Sequence, residues 1–199
     1  MTGAPVGAMP VADLLAALGA KTPSPGGGAT AAITGALGAA QLKMVAEYSP
    51  WEAAAEDPRA RLGALATQLA GLAQEDAEAY AAYAAARPRR KEDPAGWAVV
   101  QARIADVPAR VAESALEALA VAAAVLVRAP KWFAVDVAIA VGSLMAAAEG
   151  ARALCGGNVD GLAGEARTTY VARLARHDAR RESLRGELEP LLLARLPAR

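Results

Sequence analysis

The sequence predicts an all-α protein, an antiparallel helical bundle that dimerises, and three observations lead there. Alanine, the strongest intrinsic helix former, fills 56 of the 199 positions. Runs of Val, Ile, Thr or aromatic residues that would favour strands are few, with aromatics at 4% of the chain. Proline and glycine divide the remainder into segments of helical length. A chain this long can bury a core of its own, and neither a repeat period nor a low-complexity tract divides it. Residues 1–199 therefore read as a single domain.

A first helix is expected from Pro10 to Gly19. The Pro25-Gly26-Gly27-Gly28 turn starts a second, which continues to about Tyr48. A third covers Glu56 to Ala86 and stops before Pro88 and the basic Arg89-Arg90-Lys91 group. A short helix fits Pro94 to Ala105; Asp106 or Val107 then caps another that holds Pro108 in its first turn and lasts to Arg128. Pro130 opens the next, ending near Leu154 before Gly156-Gly157, and an amphipathic helix fills most of Leu162 to Leu196. Arg110, Glu113, Ser114 and Glu117 fall on one stripe, expected to face solvent. Beyond it Ala118–Val127 has no polar side chain, and Ala138–Ala148 is interrupted only by Gly142 and Ser143. Two such segments with little aromatic bulk require close helix packing and a partner subunit, hence a homodimer.

Charge and cysteine content exclude several functions. Twenty-one basic side chains balance 21 acidic ones, which leaves no basic excess for a nucleic-acid binder. Cys155 is the only cysteine, so no intrachain disulfide and no cysteine zinc cluster can form, and a cytoplasmic setting is expected. Met1–Pro10 lacks the basic cluster and long apolar run of a secretory signal. Thr22–Leu42, the longest uncharged stretch, is broken by Pro23, Pro25 and three consecutive glycines, so no membrane segment is expected. His, Asp and Glu nowhere show the spacing of metal ligands, and no metal site is expected.

Four places could carry chemistry. In Lys21-Thr22-Pro23-Ser24-Pro25-Gly26-Gly27-Gly28, two prolines stiffen a turn and the glycines let a neighbour approach, just where a helix opens with free N–H groups. The turn suits an anion, or serves only helix packing; it lacks the Gly-Lys-Ser/Thr ending of a nucleotide-binding loop. Asp76 lies on a stripe with Leu62, Leu65, Leu69, Leu72, Tyr80 and Tyr83, where a hydrophobe is expected. A carboxylate buried there must pair, shift its pKa upward or face a cavity, and in the last case it is a natural general base. Glu75 and Glu78 fall off the stripe and should be solvated. Asp136 either caps its helix or touches a ligand. Asn158, in the Cys155-Gly156-Gly157-Asn158 break, could hydrogen-bond a planar ligand or simply make a turn. Cys155 reads as a packed residue, and His177, among Arg173, Arg176, Arg180 and Arg181, as a surface one.

Several of these landmarks occur together and in order. Pro23-Ser24-Pro25-Gly26-Gly27-Gly28, then Gly35-Ala36-Leu37-Gly38-Ala39-Ala40 and Met44-Val45-Ala46, resemble the opening of the formiminotetrahydrofolate cyclodeaminase / methenyltetrahydrofolate cyclohydrolase family. Asp76-Ala77-Glu78-Ala79-Tyr80 is similar to its Asp-Ala-x-Ala-Phe element. Val107-Pro108 with Ala112-Glu113, and Asp136 in Val135-Asp136-Val137-Ala138, resemble two later landmarks. The resemblance spans roughly residues 10–165. It implies an intertwined all-α homodimer acting on the one-carbon unit of tetrahydrofolate, by cyclodeamination of the 5-formimidoyl form or hydrolysis of the 5,10-methenyl form. It carries the proton acceptor onto Asp76 and gives Ser24, Gly26, Gly27, Gly28, Asp136 and Asn158 as folate-binding candidates. It calls for no cofactor beyond the folate substrate, and leaves formimino transfer to a separate formiminotransferase.

The chain departs from that pattern twice. Glu47-Tyr48-Ser49-Pro50-Trp51-Glu52 stands where members commonly carry a Gly-Lys-Lys-Lys-Tyr-like basic segment. Cys155-Gly156-Gly157-Asn158 is one residue shorter than the usual Asn-Val-x-x-Asn. These departures motivate a competing reading, an inactive relative that binds folate or serves as a helical interaction protein.

Overall fold

The computed structural model describes residues 4–52 and 57–196, and among these there is no strand. The helices are α1 (Val11–Leu18), α2 (Gly27–Glu47), α3 (Arg59–Ala86), α4 (Pro94–Ala120), α5 (Ala122–Arg128), α6 (Ala134–Val159) and α7 (Gly164–Arg195). Short 3-10 turns at Val6–Ala8, Arg87–Arg89 and Lys131–Phe133 join them. The expected start of the third helix at Glu56 lies outside the described residues.

Four long helices, α2, α3, α4 and α6, form a ring around the core, each packed on two neighbours. Side-chain pairings fix their directions. Along α2 and α3, Gly28 meets Asp76, Gly35 meets Leu69 and Gly63 meets Lys43, an antiparallel register. Between α2 and α6, Ala31 lies near Gly150, Gly35 against Ala147 and Gln41 on Asp136, again antiparallel. Gln68–Ser114 and Arg103–Glu78 set the same relation for α3 and α4. Small residues make this close spacing possible. At Gly38 an added Cβ would lie 2.8 Å from Leu144 Cγ and 3.0 Å from the Ala140 carbonyl oxygen, so α2 and α6 touch almost backbone to backbone.

The segment Lys131–Val159 is long and apolar enough, by length and composition, to cross a membrane, with a mean hydropathy of 1.5. Thr22–Leu42 was the stretch the sequence brought forward for that test. Here α6 supplies the centre of the core: Val137, Ala140, Leu144, Ala147 and Ala151 are fully buried. Within the single chain, Val135 and Ile139 on its other side remain about half exposed, as does Val127 at the end of α5.

Two expected boundaries and one expected exposure are corrected. Pro108 does not begin a helix; α4 runs through it from Pro94 to Ala120, and the break comes at Val121. Proline removes the N–H that would bond the carbonyl four residues back, and that carbonyl, of Ile104, accepts instead from Asn158 Nδ2 at 2.6 Å. Asp106 is accordingly no cap but a mid-helix residue. Second, α6 continues through Gly156-Gly157 to Val159, since packing on α4 overrides the glycines' poor propensity. Third, Ser114 is buried, not solvated, because its hydroxyl accepts from Gln68 Nε2 at 3.1 Å across α3 and α4.

Outside the ring, α7 packs on α6 and α4. His177 is therefore buried, 6% exposed, contrary to its expected surface position, with Nε2 3.1 Å from Glu113. Arg173 joins Asp106 at 2.8 Å and Glu113 at 2.6 Å, and Arg152 joins Asp178 at 2.7 Å. Arg195 closes the end of α5 by donating to the carbonyls of Leu126, Val127 and Ala129. Burial opposes ionisation of Glu113, yet Arg173 and His177 outweigh it and lower its carboxyl from 4.5 to about 2. Because the folded carboxyl is the stronger acid, this stabilisation is complete above 4.5 and is lost as pH falls towards about 2. Glu113→Gln should thus be less stable than wild type at neutral pH, by about 1 kcal/mol given its partial exposure. Urea unfolding across the acid range checks this; a gap that does not narrow on acidification would show the ion pair contributes nothing.

Candidate active site

One cavity of about 260 Å³ opens where α2 begins. Its floor is the turn before α2, with Pro23, Ser24, Gly26, Gly27 and Gly28. Asp76, Tyr80 and Tyr83 of α3 line a second side, and Ile104 of α4 with Leu154 and Asn158 of α6 a third. The Ser24–Pro25 peptide in the floor is cis.

The α3 stripe explains how a carboxylate comes to lie here. Leu62, Leu65, Leu69 and Leu72 are fully buried, but from Asp76 onward the stripe leaves the core. Asp76 and Tyr83 are half-buried and Tyr80 is 40% exposed, so the expectation of one continuous buried stripe is corrected at its C-terminal end. That end borders the cavity because α2 starts opposite it and no further helix covers it. Glycine at position 28 leaves room for this carboxylate: an added Cβ would lie 2.0 Å from Asp76 Oδ1 and 2.3 Å from its Cγ, so the side chain or the helix would have to shift. The carboxylate thus occupies the space that a side chain on α2 would fill.

Among the described residues, Asp76 is the only acidic side chain that lines the cavity, and no Lys or Arg lines it. Burial pushes its pKa above the ordinary 3.8, and the Ala29 N–H in the first turn of α2 opposes this only in part. Glu75 and Glu78 lie off the stripe and solvent-accessible, as expected, and pair there with Arg110 at 2.5 Å and Arg103 at 3.2 Å on α4. Among the described residues, those pairs leave Asp76 as the one of these three acids without a cation.

The structure brings Ser24, Gly26, Gly27, Gly28, Asp76 and Asn158 to one cavity. Asp136 is not among them. Its Oδ1 accepts from Gln41 Nε2 at 2.8 Å, about 20 Å along α2 from the glycine turn at 1.5 Å per residue. Within one subunit it ties α6 to α2. Cys155 is fully buried against Ala105, Ala109 and Val159, and burial pushes its thiol up to about 11, which leaves it a packing residue.

Sequence reasoning missed part of the cavity wall. Tyr80 and Tyr83 were assigned to the core, although a phenol following a carboxylate on one stripe is a sign that the stripe reaches a polar space. Their rings lie 6.4 Å apart, and Tyr83 lies 4.9 Å from Trp97. The two tyrosines give the cavity an aromatic rim suited to a flat ring, with Trp97 packed behind Tyr83. Ile104 carried no signal, since its place depends on α4 continuing through Pro108. The site can accept a proton, hold a planar heterocycle and offer one carboxamide.

Comparisons with known proteins bear on this geometry. A crystal structure of formiminotetrahydrofolate cyclodeaminase from Thermotoga maritima superposes with a TM-score of 0.85, over 95% of this chain and 98% of that one, at 20% identity. That likeness shows the fold. No curated protein matches the sequence. The family model described as formiminotransferase-cyclodeaminase matches residues 10–177, which include the glycine turn, Asp76, Pro108 and Asn158. By that match over most of its length, the chain belongs to the formiminotransferase-cyclodeaminase family.

Proposed function

We propose that this protein acts on the one-carbon unit of tetrahydrofolate, with Asp76 as general base. The reaction is closure of 5-formimidoyltetrahydrofolate to 5,10-methenyltetrahydrofolate with release of ammonia, or hydrolysis of the methenyl form. The observation that carries this reading is the unpaired, desolvated Asp76 carboxylate in a cavity with an aromatic rim. In ring closure N10 attacks the formimidoyl carbon and must lose its proton. With the formimidoyl group entering as its protonated amidinium, Asp76 takes that proton and returns it to the departing nitrogen, so that ammonia leaves as the C–N bond breaks and the methenyl cation remains. In hydrolysis the same carboxylate takes a proton from the attacking water. Its raised pKa makes it a stronger base than an exposed aspartate, and neither route requires a further cofactor or metal.

The reading includes a homodimer in the cytoplasm, supplied by a separate formiminotransferase, and one feature supports the homodimer. Val135 and Ile139 on α6 and Leu37 on α2, 46%, 57% and 65% exposed, leave an apolar surface beside the Gln41–Asp136 contact. Sedimentation should give twice the chain mass, and Ile139→Lys should give a monomer; a monomeric wild type removes the dimer from this reading.

Methenyltetrahydrofolate absorbance, followed with purified protein and either substrate, tests the activity. No conversion by folded protein overturns it. One observation favours a second reading, a relative that binds folate or another protein without turnover. No cation lines the cavity to meet an anionic folate tail, and Glu47, where relatives carry lysines, is tied to Lys43 at 2.6 Å. Calorimetry separates the versions: folate affinity without turnover indicates a binding protein, and no affinity an interaction subunit.

A further inference from the structure

We propose that Pro108 and Asn158 work as a positioning pair, in which the proline frees a backbone carbonyl so that this carbonyl can hold the Asn158 amide in one orientation inside the cavity. The ligand half of this inference, the hydrogen bond to a bound folate, rests on the function proposed above. The positioning half stands on geometry alone.

Pro108 lies within α4 and is buried, so its ring denies the Ile104 carbonyl a helical partner. A carbonyl oxygen left unpaired inside a protein is unfavourable. Asn158 Nδ2 answers it at 2.6 Å from the neighbouring helix. Because a carbonyl oxygen can only accept, the contact admits one of the two amide orientations and excludes the other. The bond also holds the side chain in place, since Asn158 and Ile104 both line the cavity.

The consequence is chemical. With Nδ2 turned to Ile104, Oδ1 has no hydrogen-bond partner among the described residues and is not sealed from the cavity. Asn158 therefore presents an acceptor, in the same space where Asp76 presents a carboxylate. Two acceptors without a cation select a neutral ligand edge rich in N–H groups, as a reduced pterin or an amidine provides, over an anionic one. Pro108, which touches no ligand, sets which end of the amide the ligand meets.

Pro108→Ala, Asn158→Ala and the double variant test the pair. Alanine at 108 returns an N–H to Ile104 and favours the helix, so the variant should fold at least as well as wild type. In nitrogen–proton NMR spectra the Asn158 side-chain NH2 of wild type should show one displaced, slowly exchanging proton. Pro108→Ala should bring that signal to the position of a free amide. Each single variant should raise KM for the folate about tenfold with kcat within twofold, and the double variant should be no worse than either single one. A purely structural role would change melting temperature without this shared KM effect. Unchanged Asn158 signals in Pro108→Ala overturn the positioning, and additive KM losses overturn the coupling. Should wild type neither bind nor convert tetrahydrofolates, the function reading and the ligand half fall together, while the NMR signal still decides whether the proline holds the amide.

Discussion

Asp76→Asn is expected to lose turnover by about 10²–10⁴-fold while keeping folate affinity and melting at a higher temperature than wild type. Asparagine matches aspartate in size and keeps an acceptor for the Ala29 N–H, but it cannot take a proton. The stability gain follows from the same burial that raises the Asp76 pKa. A carboxyl whose folded pKa lies above its unfolded value carries no penalty below the unfolded value of 3.8; the folded state loses stability as pH rises through the folded pKa. The Asn variant escapes that loss, so it should be the more stable at neutral pH and indistinguishable at pH well below 3.8. Each 1 kcal/mol corresponds to roughly 2–4 °C in a chain of this size. The acid limb of the wild-type pH–rate profile should lie above the ordinary aspartate range and vanish in the variant. Equal rates would remove Asp76 from the mechanism, and a lower melting temperature would show that the fold compensates the charge.

Much of this arrangement was legible in the sequence, for identifiable reasons. Helix content and the α2 and α3 spans follow from alanine propensity and from proline and glycine punctuation, which act locally. Asp76 was legible because a carboxylate on a run of buried leucines breaks a period that chain position alone defines. What was not legible depends on contacts between distant segments. The continuation of α4 through Pro108 needs a donor 50 residues further on, and only the packed structure supplies Asn158. His177 looked exposed because its sequence neighbours are arginines, yet the face that α7 turns to α4 decides its burial. Asp136 was a candidate both from its place ahead of an apolar helix and from the resemblance; its bond to Gln41 within one chain is a contact that chain position does not reveal.

Gly28→Ala should lower both stability and turnover, and the sign of its effect on stability should depend on residue 76. The added Cβ would lie 2.0, 2.3 and 2.6 Å from Asp76 Oδ1, Cγ and Oδ2, so the carboxylate must move or α2 must shift. Overpacking of this kind costs about 1–3 kcal/mol, against a gain of up to about 1 kcal/mol for alanine over glycine in a helix. Turnover should fall with the displaced carboxylate. All three nearest atoms belong to Asp76. In an Asp76→Ala background the clash is gone, and the same substitution should become neutral or stabilising. Gly38→Ala is the control: its Cβ meets Leu144 Cγ at 2.8 Å and the Ala140 carbonyl oxygen at 3.0 Å, neighbours that no change at position 76 can relieve. Urea unfolding of the six proteins in these two cycles should give a coupling of at least about 1 kcal/mol for Gly28 and within about 0.5 kcal/mol of zero for Gly38. Equal coupling at both sites would mean that α2 shifts as a rigid body, and that Gly28 serves general helix packing rather than the space for one carboxylate.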